Sequence, residues 1–131
     1  MPYSKMTHAV DPKKEIWDQL GDISDISLYN TQVMVAIYIR PEKTASGLFL
    51  AAQTRDEDKW QGKVGLVIKK GPQAFVEGDE SAWFDGVDVD VNDWVYFRHS
   101  DSWLVTVHGV LCAILKDVNV RGKVGSPDQI W

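Results

Sequence analysis

The sequence holds one cysteine, Cys112. No disulfide can form within the chain, so the class of small secreted domains stapled by cystines is excluded. The apolar neighbours of Cys112 in VLCAIL predict a buried, inert thiol, which fits an intracellular origin. Long apolar runs are also lacking: none approaches the roughly 18 residues of a membrane helix. The opening MPYSKMTHAVDPKKE has no apolar core of a secretory signal. Histidine is scarce, with His8, His99 and His108 scattered and no two at helical i, i+4 spacing. There is no HExxH, no CxxC pair and no G-x-S-x-G, and the one glycine of KKGPQAF makes no phosphate-cradling loop. RHSDS sets His99 beside Ser100 and Asp101, but triad members converge from distant chain positions, and adjacent ones read as turn residues. The expectation is a protein that is not an enzyme, with no cofactor and no metal.

Positive charge is in deficit. Fourteen Lys and Arg face nineteen Asp and Glu, a net charge of −5. Nucleic-acid affinity rests largely on clustered cations, so no nucleic-acid partner is expected, and no membrane partner either. Six tryptophans are many for 131 residues. Aromatic platforms for single strands need a basic groove beside them, so Trp60, Trp94 and Trp103 are assigned to core packing or subunit contacts.

Against these absences stands an ordinary globular composition, 44% hydrophobic and 25% charged, over a length that suits one domain with a sizeable core. DPKKEIWDQLG predicts a short helix: Asp11 caps it, Pro12 suits the first helical position and Gly21 the stop. Ile16, Trp17 and Leu20 form its apolar face. Nine or ten residues make too short a helix to stand alone, so it must pack on the domain or on a neighbour. From Thr31 the period changes to two. Val33, Val35, Ile37 and Ile39 share one strand face, and Val64, Leu66 and Ile68 repeat the alternation. WVYF (94–97), WLVTV (103–107), VLCAIL (110–115) and DVNV (117–120) read as further strands, punctuated by NDW, RHSDS, HGV and RGK. Short strands without a second helical period predict an all-β barrel or sandwich.

Two segments break the pattern and are predicted long loops: 41 to about 61, and 71 to 90. Compact domains seldom carry such loops without a functional reason. The second contains Glu77, Asp79, Glu80, Asp85, Asp88 and Asp90 with no Lys or Arg among them. A solvated acidic surface is the expectation, because the regular D-x-D-x-D-G spacing of a calcium loop is missing. The first contains TASGLFLAAQ, in which Leu48, Phe49 and Leu50 stand as an apolar triplet among small and polar residues. On composition alone the triplet reads as a buried strand fragment.

Taken in order, TQVMVAIYIRPEKTASGLFL, WQGKVGLVI (60–68), VDVNDWVYF (89–97) and VLCAILKDVNV (110–120) resemble the GroES-type co-chaperonin family, in a divergent form of the kind tailed phages encode. The resemblance spans about residues 28 to 124. Val89, Val91, Asp93, Val95 and Phe97 are in register with that family's Val-x-Val-Gly-Asp-x-Val-x-Phe segment, and Asn92 takes the usual glycine's place. It implies a GroES-like partly open β-barrel at 28–124, with a mobile loop and a roof hairpin as its two long loops. Residues 1–27 then form an N-terminal extension with the short helix, and 125–131 a tail, neither common in the family. The implied site is Gly47, Leu48, Phe49 and Leu50, docking on a GroEL-type chaperonin. The implied assembly is a homo-oligomeric ring, seven subunits by family habit, in the cytoplasm of a bacterial or infected host cell. The alternative on the same barrel is a phage virion protein of the capsid decoration or cement type, with the termini and tryptophans contacting capsid subunits. The barrel domain of zinc alcohol dehydrogenases shares the fold, but the chain is too short and lacks both the dinucleotide glycines and the Cys/His ligands.

Overall fold

The computed structural model describes residues 11–39, 63–76 and 87–129. These form one helix, α1 (Pro12–Leu20), and six strands: β1 (Gln32–Ile37), β2 (Val64–Lys70), β3 (Trp94–Phe97), β4 (Trp103–Val107), β5 (Val110–Lys116) and β6 (Val120–Val124). The strands make one antiparallel sheet in the order β4-β5-β1-β2-β3-β6. The protein is therefore mostly β, with one short helix. Among the described residues no helix is long and apolar enough to cross a membrane.

The helix forms where its sequence signals place it. Asp11 accepts a hydrogen bond from the Lys13 amide, Pro12 occupies the first position, and Gly21 ends the helix at φ +65° with its amide bonded to Trp17 O. Ile16, Trp17 and Leu20 turn to the sheet and join a cluster with Met34, Ala36, Leu66, Trp94 and Cys112. Trp17 Nε1 also donates to Asn92 Oδ1 at 2.6 Å. Asn92 holds φ +80°, the left-handed conformation that asparagine tolerates better than most residues. The helix is thus packed on this domain and tied to the turn that starts β3.

Period-two alternation sorts the side chains into two clusters, one on each face. Val33, Val35 and Ile37 lie in one with Val67, Val95, Phe97, Ala113 and Leu115, and Ile39 packs against it. Met34, Ala36, Val64, Leu66 and Ile68 lie in the other. Every β1 residue from Val33 to Ile37 is buried, because both faces are covered.

Two short crossings determine the sheet's shape. β5 and β6 are four strand spacings apart, about 19 Å in a flat sheet at 4.7–4.9 Å per strand. Only Asp117–Asn119 join them, and these form a 3-10 turn. From Lys116 to Val120 a fully extended chain spans at most ~14 Å, and a 3-10 turn rises only ~2 Å per residue. The sheet must roll until its ends approach. The link from β3 to β4, also four spacings, contains the 3-10 turn His99–Asp101 and makes the same demand. In agreement, Leu104 of β4 and Val120 of β6, from opposite ends of the strand order, pack against one cluster.

One expectation changes. DVNV is not a strand: 117–119 form the 3-10 turn and pairing resumes at Val120. Local alternation could not reveal this, since the crossing needs a tight turn there. Of the tryptophans assigned to core packing or subunit contacts, Trp94 is core, Trp103 is 69% exposed, and Trp60 lies outside the described residues. The described carboxylates of the acidic segment are exposed, as expected, and have basic partners outside the segment: Lys70 pairs with Asp90 at 3.0 Å, and Lys123 lies 3.9 Å from Asp88. HGV is the β4–β5 turn, with His108 at φ +49° and Gly109 at φ +84°, the two positive values of a two-residue type I′ hairpin.

Close approach of β1 and β2 depends on Gly65. A Cβ there would stand 2.8 Å from Val35 Cγ2 and 3.0 Å from Ala36 O. Gly65→Ala is expected to lower stability by ~1–3 kcal/mol in urea denaturation. Gly125→Ala, which meets nothing within 4 Å, should stay within about 0.5 kcal/mol. Equal effects would contradict the packing described.

Candidate functional site

Gly47, Leu48, Phe49 and Leu50 lie outside the described residues, as do Glu77, Asp79, Glu80 and Asp85. The anchors of segment 40–62 are described. β1 and β2 pair as adjacent antiparallel strands with Ile37 opposite Gly65, and the Tyr38 amide bonds to Val64 O at 2.9 Å. The segment therefore leaves and re-enters the sheet side by side, from the two central strands. Tyr38, two residues before it, is 2% exposed, meets Trp94 edge-on at 5.6 Å and donates its hydroxyl to the buried carboxylate of Asp128. The 3-10 turn Pro127–Gln129 is fastened to the base of the connection by this bond.

Beside the other anchor, Lys63, a groove of about 630 Å³ opens among the described residues. Tyr96, Arg98, His99, Ser100 and Arg121 complete its wall, together with the edge of Phe97. The groove forms because β2 begins, β3 ends and β6 begins at the same corner: Val64 is opposite Tyr96, and Phe97 opposite Val120. Tyr96 lies across Gly122, where a Cβ would collide with its hydroxyl and ring. The floor is consequently aromatic and the rim cationic. Asp101, with its side chain 16% exposed, holds both arginines: Oδ1 accepts from Arg98 Nη2 at 3.1 Å, and Oδ2 faces Arg121 Nη2 at 3.5 Å without hydrogen-bond geometry. His99 Nδ1 is shielded and makes no hydrogen bond among the described residues.

His99, Ser100 and Asp101 do form the turn read from RHSDS. Asp101 faces two arginines and His99 Nδ1 makes no hydrogen bond among the described residues, so Asp101 and His99 are not linked as the last two members of a Ser-His-Asp relay would be. Among the described residues no group of three His, Cys, Asp or Glu is placed to hold a metal.

No family model matches the sequence, and none of the curated proteins does.

The groove was not foreseen from the sequence. Lys63, Arg98 and Arg121 are isolated cations in a chain of net charge −5, and only strand pairing brings them to one corner. Cys112 was foreseen. It is fully buried, and loss of solvation of the thiolate pushes its pKa up to about 12. The native protein is expected to leave a thiol reagent such as dithionitrobenzoate unreacted at neutral pH, and to react fully once unfolded. The sign of the pH linkage follows. Below pH 9 the thiol is protonated in both states and contributes no pH dependence. From 9 to about 12 the unfolded chain loses a proton that the folded one keeps, so stability falls across that window. In alkaline denaturation Cys112→Ala should show a shallower fall than the parent chain over that range. An identical slope would show that the thiol is not shielded.

Proposed function

We propose that the protein is a co-chaperonin: a lid that caps a GroEL-type chaperonin ring through Gly47-Leu48-Phe49-Leu50 and performs no chemistry. The observation that carries this reading is the anchoring of segment 40–62 between the two central strands, β1 and β2. A docking arm must transmit force to a rigid body, and β1 is the most completely buried strand of the sheet. Support also comes from the order of elements. The segments that resemble the co-chaperonin family include β1, β2, β3 and β5 in sequence order, and Asn92 has the positive φ of the glycine it stands in for. The rolled sheet fits a GroES-like partly open barrel. Burial of each large apolar side chain of the triplet could contribute ~1.5–3 kcal/mol, while ordering backbone costs ~1–2 kcal/mol per residue. One arm binds weakly and releases readily; a homo-oligomeric ring of several arms, seven by family habit, gains strength by avidity. The lid acts in the cytoplasm of a bacterial or phage-infected cell.

The second reading, a virion protein bound to capsid subunits, has one observation in its favour. Tyr29 and Trp103 are 72% and 69% exposed, large aromatic surface of the sort that assembly contacts cover.

Replacing Leu48, Phe49 and Leu50 together with Ser is expected to abolish capture by an immobilised GroEL-type chaperonin. The circular dichroism spectrum and melting midpoint should be unchanged. Retained capture would remove the assignment. Amide exchange separates the two readings: for the lid, residues 41–61 exchange fast in the isolated protein and slow down when chaperonin is added. Slow exchange in the free protein favours the virion role.

A further inference from the structure

We infer that the groove between Lys63 and Arg121 is a docking site for an acidic peptide segment of a partner protein, one that carries an aromatic or long apolar side chain beside its carboxylates. This goes beyond the lid reading and does not depend on residues 47–50.

Charge is the first argument. Lys63, Arg98 and Arg121 surround one opening, and among the described residues the only carboxylate in contact with them is that of Asp101. The described residues of the corner thus carry an excess of two positive charges in a protein of net charge −5. Such a local reversal attracts anionic ligands while the rest of the surface repels them.

The second argument is preorganisation. A guanidinium has five N–H donors in a fixed fork. Asp101 accepts one hydrogen bond from Arg98 and stands at ion-pair distance, 3.5 Å, from Arg121, so it draws the two guanidiniums toward one point and leaves donors of both turned to solvent. Their side chains are 68% and 57% exposed, against 16% for Asp101. Two held arginines lose less freedom on binding than two free ones, and paired guanidiniums match carboxylates bidentately.

Shape is the third. About 630 Å³ is far more than a lone anion fills and lies within the range of sites that enclose an organic ligand. Tyr96, lying over Gly122, gives the floor an aromatic surface for an apolar side chain. A nucleic-acid strand is a poorer occupant, because three cations neutralise too few phosphates to hold one against the repulsion of an acidic protein.

The test is fluorescence anisotropy with the full chain and a labelled short peptide containing several Glu and Asp residues and one Trp. Saturable binding is expected, weakened about tenfold or more when salt rises from about 0.05 to 0.5 M. Lys63→Glu is the primary variant, since Lys63 has no ion pair among the described residues and its replacement leaves the Asp101 clamp intact. It should weaken binding about tenfold, with an unchanged circular dichroism spectrum. Arg98→Glu with Arg121→Glu should abolish it. Changing the peptide's Trp to Ser should also weaken it, as the aromatic floor requires. Four outcomes overturn the proposal: no binding; binding unaffected by Lys63→Glu; equal binding of the Trp-free peptide, or full competition by equimolar inorganic phosphate, which would make this a plain anion site; and salt-sensitive self-association removed by Lys63→Glu in sedimentation, which would make the occupant a second copy of the chain.

Discussion

The crossing from β5 to β6 constrains the whole structure. Three residues join strands that stand four spacings apart in the sheet order, and a flat sheet cannot satisfy that distance. Rolling does, and it encloses Val33, Val35, Val67, Val95, Ala113 and Leu115 in one cluster. Asp117 makes the tight turn possible. It is 4% exposed, its amide bonds to Thr31 O, and its carboxylate accepts from the amides of Phe75 and Val118. A buried carboxylate is tolerated when backbone donors satisfy it. Here that carboxylate fixes the end of β5 against the turn that follows β2.

Rolling also explains how function-bearing residues come together in a sequence without local motifs. Arg98 follows β3 directly and Arg121 is the second residue of β6, a neighbour that the chain reaches only after passing through β4 and β5. The paired guanidiniums, the aromatic floor and the anchor at Lys63 are products of strand order. The outer face is closed by different means: α1 and the apolar residues Ile23, Ile26 and Leu28 cover it, with Lys69 Nζ bonded to the carbonyls of Ile23 and Ile26 to hold the connector down.

The sequence was most legible where one residue type has one structural use. Asp11, Pro12 and Gly21 marked the helix, Asn92 marked a left-handed turn, and alternating β-branched residues marked the faces of β1 and β2. It was least legible where meaning depends on distant partners. DVNV has strand-like alternation but lies at a crossing, and composition left Trp103 open between core and subunit contact, where strand order puts it on β4, an outer strand of the order, 69% exposed. Asp88 and Asp90 look unopposed along the chain, although Lys123 and Lys70 reach them across the fold. The groove was not legible, for no local pattern announces three cations gathered from the ends of three separate strands.

The central position of β1 has a consequence for biosynthesis. One flank pairs with β2, but the other waits for β5, since Gln32 is matched to Lys116, more than eighty residues later. At ~5–20 residues per second, translation of that interval takes on the order of 4–17 s. Throughout it, a strand made of Val, Met, Ala and Ile has an open edge and no completed face. Such high contact order slows folding and leaves the nascent chain exposed to β-pairing with other molecules. A protein that we propose assists the folding of others would, by its own topology, be at risk of aggregation until its fifth strand is made.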